Sequence, residues 1–240
     1  NIWIATSNGI NCIDYKTKKI TRFYPKSINK ECTTNIINRL LKHSDGNVYA
    51  FCNRSVFKCS MNQTVETVFP DIAIPSPTYS VAQAPDKDIY IGTESNGLYI
   101  YSENWKLKKH VPIDGIIATI LPDNNGDIWL GLDETGICLF NKNKQTFTWL
   151  HKDNTNLNNN SIRTFVSYGD SSILVGTFRG LNILNKKELT ITPANINIAG
   201  KGGLSHYSIH SMLIDKDQTL WIGTYSAGVN YHSPFYRPVS

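Results

Sequence analysis

Methionine is scarce in this chain, with 2 in 240 residues, and no apolar run approaches the roughly 20 residues that a membrane-crossing helix needs. A helical span within these residues is therefore not expected. Cysteine is also sparse: Cys12, Cys32, Cys52, Cys59 and Cys138 form an odd set without a CxxC pair. Neither a zinc site nor a complete disulfide framework is signalled, and the cysteines read as small buried apolar side chains. No metal or other cofactor is expected. Charged residues make up only 18%, yet 40% of the chain is hydrophobic, which is the composition of a folded protein.

Aromatic residues are plentiful, with 12 Tyr and 5 Trp, and these favour strands. The formal charge of +5 raises the question of an acidic partner. The lysines do not form one patch. Lys16, Lys18 and Lys19, then Lys106, Lys108 and Lys109, then Lys142 and Lys144, then Lys186 and Lys187 fall at the same place in successive repeats. That place is the turn into an outer strand, where lysine discourages edge-to-edge pairing. A nucleic-acid partner is not expected. Asn1-Ile2-Trp3-Ile4 already lies within a strand pattern, and no signal peptide precedes it, so the sequence reads as part of a longer chain.

One unit is written six times. Its copies are Asn1-Ile-Trp-Ile-Ala-Thr, Asn47-Val-Tyr-Ala-Phe-Cys, Asp88-Ile-Tyr-Ile-Gly-Thr, Asp127-Ile-Trp-Leu-Gly-Leu, Ser172-Ile-Leu-Val-Gly-Thr and Thr219-Leu-Trp-Ile-Gly-Thr. The large residue stands at 3, 49, 90, 129, 174 and 221, spaced 46, 41, 39, 45 and 47 apart, the period of a propeller blade. A second strand follows each copy after a few residues, opening at Gly9, Ser55, Gly97, Gly136, Gly180 or Gly228. A polar turn then leads to an outer strand such as Lys19–Phe23, Thr64–Val68, Gln145–Trp149 or Glu188–Thr192. An inner strand precedes the motif at Ile36–Leu41, Ser80–Ala84, Ile116–Leu121, Ile162–Ser167 and Ile209–Ile214, most often running into an Asp-rich hairpin turn.

The expected fold is thus all-β, a propeller of four-stranded antiparallel blades over about 1–25, 35–70, 79–112, 116–151, 162–193 and 208–240, forming one propeller region across 1–240. The first blade lacks its inner strand and the last its outer one, so the two ends do not complete a blade and the region reads as an arc of a larger propeller. Copy two departs from the pattern, with Phe51-Cys52 and Ser55 where the others carry glycine. Trp221, Gly223 and Thr224 read as interior packing and strand geometry.

The recurring Ile-Trp-Ile-Gly-Thr with Gly-Leu/Ile/Val a few residues on, preceded by Asp-x-x-Gly-Asp-Ile-Trp129 and ending in Ala227-Gly-Val-Asn-Tyr231-His-Ser-Pro-Phe235, resembles the two-component regulator propeller repeat. The likeness covers nearly the whole chain, copy two excepted. It implies the periplasmic sensor region of a hybrid two-component histidine kinase: seven-bladed propellers followed by an immunoglobulin-like domain and a membrane helix. It further implies a glycan fragment as ligand, a homodimer as signalling unit, anchoring in the inner membrane and relay to a cytoplasmic kinase.

The repeated scaffold leaves function to the unrepeated loops. The turns between second and third strands carry Ser7-Asn8, Asn53-Arg54, Glu94-Ser95-Asn96, Asp133-Glu134-Thr135, Phe178-Arg179 and Tyr225-Ser226-Ala227. They share one face with the loops between blades, including Asn158-Asn159-Asn160 and Gly200-Lys-Gly-Gly-Leu-Ser-His206-Tyr207. Phe178, Arg179 and Tyr225 combine apolar rings with a forked donor, the mixture that stacks on a sugar and holds its hydroxyls. His206, Tyr207, Asn160, Glu94 and Glu134 complete the expected oligosaccharide site.

Catalysis is not expected. Glu94, Asp133 and Glu134 supply the carboxylates that glycoside hydrolysis requires, but solvated loop acids account for them. The Asp123-Asn-Asn-Gly126 turn is similar to the Asp-box of sialidase propellers, but its glycine falls one residue later, and it reads as a hairpin. His206 and His210 would bind a metal at this spacing only on a helix, and they lie where a loop enters a strand. Gly200-Lys-Gly-Gly lacks the strand and helix of a phosphate loop. Two rivals remain: a propeller enzyme of the glycosidase or lyase type, and a protein-interaction scaffold.

Overall fold

In blades two to five the motif strand is apolar at both parities, and it is covered on both faces and pairs with a strand on either side. A computed structural model describes residues 1–30, 32–60, 62–68, 74, 76–194 and 203–233. The expected features at 200–202 and at Pro234-Phe235 lie outside these residues. The fold is all-β and propeller-type. Among the described residues there are six antiparallel sheets, four with four strands and two with three.

Blade one holds β1 (Ile2–Thr6), β2 (Gly9–Ile13) and β3 (Ile20–Phe23), followed by a short helix α1 (Pro25–Ile28) that the repeat pattern does not signal. Blade two is β4 (Arg39–Lys42), β5 (Val48–Cys52), β6 (Ser55–Cys59) and β7 (Val65–Val68). Blade three is β8 (Thr78–Gln83), β9 (Ile89–Thr93), β10 (Leu98–Tyr101) and β11 (Leu107–Val111). Blade four is β12 (Ile117–Pro122), β13 (Asp127–Leu132), β14 (Gly136–Asn141) and β15 (Thr146–Leu150). Blade five is β16 (Ile162–Tyr168), β17 (Ser172–Thr177), β18 (Gly180–Asn185) and β19 (Ile191–Pro193). Blade six is β20 (Ile209–Ile214), β21 (Leu220–Thr224) and β22 (Val229–His232).

Two compact units divide the chain, Asn1–Ile117 and Ala118–Ser240, the boundary falling after the first residue of β12. In each unit the core lies between successive blades. In the first unit, Ile10, Ile37, Ala50 and Phe57 form one cluster with Cys32, Cys52 and Cys59, and Tyr49, Phe51, Ile89, Ile91 and Trp105 belong to another. In the second unit, Trp129 packs with Ile162, Phe165, Ile173 and Val175, and Leu174 with Ile209, Leu220 and Ile222. Burying such a side chain contributes about 1.5–3 kcal/mol. All five cysteines are buried, as their composition suggests.

The motif glycine has a definite task. A Cβ on Gly92, Gly131 or Gly176 would lie 2.7, 2.5 or 2.6 Å from Cγ2 of Ile117, Ile162 or Ile209, each the first residue of the next inner strand. Glycine thus admits a branched side chain from the neighbouring blade. At Gly223 the nearest such contact is Ser211 Oγ of the same blade, at 2.4 Å.

Trp221 departs from its expected interior place. It is 40% exposed, against 1% for Trp129 at the same repeat position, because no described strand covers its face of blade six. Its indole N–H donates to Asp215 Oδ2 at 2.8 Å, and its ring lies 5.6 Å from that of Tyr231. Two of the lysines are likewise more than solvated edges. Lys108 Nζ meets the buried Asp88 at 2.6 Å, and Lys186 Nζ meets Asp123 at 3.0 Å with both side chains largely covered. No described helix is long and apolar enough to cross a membrane.

Candidate ligand-binding site

Strand register decides which loops share an end of a blade. In blade five Ile162, at the start of β16, pairs with Thr177 at the end of β17, and Thr177 pairs with Gly180 at the start of β18. The turn between second and third strands therefore lies beside the loop that enters the blade. The main chain fastens the two together. Phe178 N–H donates to Ser161 O, Tyr225 N–H to Ser208 O and Glu94 N–H to Pro77 O, each at 3.0 Å. Threonine closes the same turn from the other side: the hydroxyls of Thr6, Thr93, Thr177 and Thr224 donate to the carbonyls of Gly9, Gly97, Gly180 and Gly228 at 2.8, 2.8, 2.9 and 3.0 Å. With the backbone so held, the side chains at the turn tips are free to face solvent.

In the second unit the expected site residues fall into two groups. Phe178 is 43% exposed at its turn tip, with exposed Arg179 beside it. Asn160 belongs to the loop entering the same blade. Its carbonyl accepts from Gly136 N–H at 2.9 Å, and its side-chain oxygen accepts from Lys152 N–H at 2.8 Å, so its amide group is already partly engaged in holding the loop. Around Phe178 the structure adds a residue that the loop pattern alone misses. Arg163 sets its guanidinium 5.8 Å from the Phe178 ring centroid and 3.9 Å from Asp133 Oδ2. A cation over the ring face steadies the ring, while Asp133 balances its charge. Arg163 lies where the register of β16 against β17 shifts between Ile162 and Thr164, so strand alternation does not signal it. Glu134 is exposed at the tip of the adjoining turn, in left-handed backbone with φ 64°.

The second group lies on blade six. His206 and Tyr207 stack with ring centroids 4.4 Å apart, and His206 Nδ1 accepts from Ser208 N–H at 3.0 Å, which places the ring proton on Nε2. Ser208 is also the residue that anchors Tyr225, so the three rings belong to one fastened loop pair. Tyr207 is 44% exposed and Tyr225 73%. His210 lies within β20, so the His206/His210 spacing is not helical, as the sequence suggests.

Glu94 belongs to the first unit and is exposed at its own turn. The same end of that unit contains a cavity of about 470 Å³ lined by Cys32, Thr33, Thr34, Cys52, Asn53, Arg54, Ser55 and Pro77. Only Asn53-Arg54 stands out there in the sequence, as one loop among six. A second hollow of about 440 Å³ lies at the opposite end, by Asp14, Tyr15, Lys16, Asn62 and Gln63. Its carboxylate is already committed: the N–H groups of Thr17 and Lys16 and the Gln63 amide donate to Asp14, holding its carboxyl below the usual range.

Residues 203–226, which cover the loop into blade six, β20, β21 and the Tyr225-Ser226 turn, match the family described as two component regulator propeller. That match is confined to 203–226 and stops before β22. The extracellular domain of a hybrid two-component system from B. thetaiotaomicron is 25% identical, with a TM-score of 0.74 over 95% of this chain and 31% of its own. A second hybrid two-component extracellular domain from that organism is 18% identical, with a TM-score of 0.73 over 95% of this chain and 30% of its own. PorZ, a surface component of the type-IX secretion system of Porphyromonas gingivalis, is 15% identical, with a TM-score of 0.70 over 95% and 36%. At such identities the last two establish the fold alone. The chain spans about a third of the length of these structures. No curated relative matches it.

Proposed function

We propose that this chain is the ligand-sensing propeller region of an extracytoplasmic, inner-membrane-anchored receptor that relays binding to a cytoplasmic histidine kinase. The two-component regulator propeller match on blade six carries this reading. The likeness to a hybrid two-component extracellular domain over 95% of the chain supports it. The segment itself is non-catalytic: it recognises, and the remaining blades and downstream domains of a homodimeric parent respond.

The ligand in this reading is an oligosaccharide held by the turn tips. Phe178, Tyr207 and Tyr225 offer exposed rings to the CH face of a sugar, and Arg179, Asn160, His206 and Glu134 offer hydrogen bonds to its hydroxyls. Glu94 presents the same acceptor chemistry on the first unit. Fastened turns suit this task, because a backbone already held in place loses little entropy on binding.

Calorimetric titration with a panel of oligosaccharides tests the proposal. Saturable binding without turnover is expected, weakened at least tenfold by the double variant Arg179→Ala, Tyr225→Ala. Undiminished binding in that variant removes the site from these loops. Product formation would instead make the segment an enzyme, and no binding by any glycan would leave an interaction scaffold.

A further inference from the structure

The five cysteines are far apart in sequence, yet the fold brings two of them to one place. Cys32 lies on the loop that joins blades one and two, beyond α1. Cys52 ends β5, where its Cα is the register partner of Ser55. Cys32 Sγ lies 3.4 Å from Ser55 Oγ, and Cys52 Sγ lies 3.3 Å from the carbonyl of Thr34, two residues beyond Cys32. Each thiol thus touches the other's immediate chain neighbourhood. Burial, and then Cys32 beside it, pushes the Cys52 thiol up to about 12. Both line the 470 Å³ cavity, which gives a small reagent a way in.

We propose that Cys32 and Cys52 are a disulfide-forming pair that locks the loop between blades one and two onto the turn of blade two. The reaction needs an oxidant of the small-molecule disulfide class. Cys32, 9% exposed against 1% for Cys52, reacts first. Its thiolate attacks one sulfur of the oxidant, and the other sulfur leaves as a thiol after taking a proton from water. Cys52 then gives its proton to solvent and attacks the Cys32 sulfur, expelling the second small thiol. Two protein S–H bonds and one small-molecule S–S bond become one protein S–S bond and two small-molecule S–H bonds. The protein is oxidised and the reagent reduced.

Cys12 and Cys59 provide an internal comparison. Burial and then Cys12 raise the Cys59 thiol to about 12, but Cys12 and Cys59 are 0% and 1% exposed and neither lines the cavity. Access distinguishes the pairs.

The test treats the intact chain with glutathione disulfide, quenches with acid, alkylates the remaining thiols after unfolding and maps peptides without reduction. A peptide pair joined through Cys32 and Cys52, lighter by two hydrogens, is expected, with Cys12, Cys59 and Cys138 alkylated. Closing a loop of roughly 20 residues should raise Tm by about 5 °C. In the Cys52→Ser variant, Cys32 should retain one glutathione, because no second thiol displaces it. Alkylation of both Cys32 and Cys52, glutathione on each of them, or a Cys12 to Cys59 link in their place overturns the proposal. If the serine variant does not fold, the wild-type map decides alone, since dithiothreitol must abolish the link and the gain in Tm. No glycan or kinase enters the experiment, so its outcome is independent of the sensor reading.

Discussion

Blade two and blade four have the same strand order and opposite solutions to packing against the next blade. In blade four Gly131 leaves room for Ile162. In blade two the same position holds Phe51, fully buried, and the first residue of the next inner strand is Thr78 instead of isoleucine. Blade one follows blade four in kind, with Ala5 and Ile37 in one cluster. In blade four the bulk at the junction comes from the following strand, whereas in blade two it comes from the motif strand itself, and in a close-packed interior either must be matched by what faces it. The glycine is one half of a pair whose members are 25 to 33 residues apart in the chain, and copy two looks defective only when its half is read alone.

The comparison can be broken most forcefully at Phe51. Phe51→Ala should cost about 3–5 kcal/mol in urea unfolding, and a second change, Thr78→Ile, should restore part of the loss. A cost below about 1 kcal/mol would show that the blade-two junction is not filled by Phe51. Next comes the mirror experiment. Gly131→Ala should destabilise by about 2 kcal/mol through overpacking, and Ile162→Ala in the same chain should cost less than it does alone. Strict additivity would separate the two residues.

A smaller effect distinguishes the hairpin turns of the same two blades. Burial raises the Asp45 carboxyl, but Asn47 N–H, the Tyr49 hydroxyl and His43 outweigh it and hold the group at about 2 against an ordinary 3.8. A depressed carboxyl pKa adds stability that is fully present above 3.8 and is lost as pH falls towards 2. Asp45→Asn should therefore flatten the decline of Tm across that window. Asp123 in blade four is also held low, against burial, by Lys186, so Lys186→Met should diminish the corresponding acid response of its own turn. The smallest effect is expected at Asn53, which takes left-handed backbone, φ 53°, in the blade-two turn. Asn53→Gly should change stability by no more than about 0.5 kcal/mol, because asparagine tolerates that conformation and glycine gains freedom in the unfolded chain.

Period and alternation made the strands legible: β20 begins and ends where its pattern does, and most others differ by one or two residues. The inner strand of blade two is the main shift, starting at Arg39 instead of Ile36. The outer strand of blade five is short, Ile191–Pro193 in place of a run from Glu188, because Leu189 turns into left-handed backbone at φ 55°. The turn tips could be named in advance for a simple reason: they are the text that does not repeat. Their companions could not. Arg163 is an outward residue of a strand, and nothing local says that it reaches Phe178 and Asp133. The meeting of Cys32 with Cys52 depends on the path of a connecting loop, which has no period to read. Trp221 misled because a repeat reports the role a residue has in an average blade, whereas its exposure depends on what covers that one.

The threonine at the end of the motif strand sets the shape of a turn without reading its contents. At Thr177 the hydroxyl donates to Gly180 O and accepts Arg179 N–H, and Phe178 N–H is spent on Ser161; every one of these bonds to the turn uses main-chain atoms. These bonds therefore hold the turn whatever the identities of residues 178 and 179, and among the described contacts the Phe178 ring adds only its meeting with Arg163. Selection, or a combinatorial library, can rewrite that dipeptide as an interchangeable cassette, and a receptor built this way changes its specificity without first having to relearn how to fold.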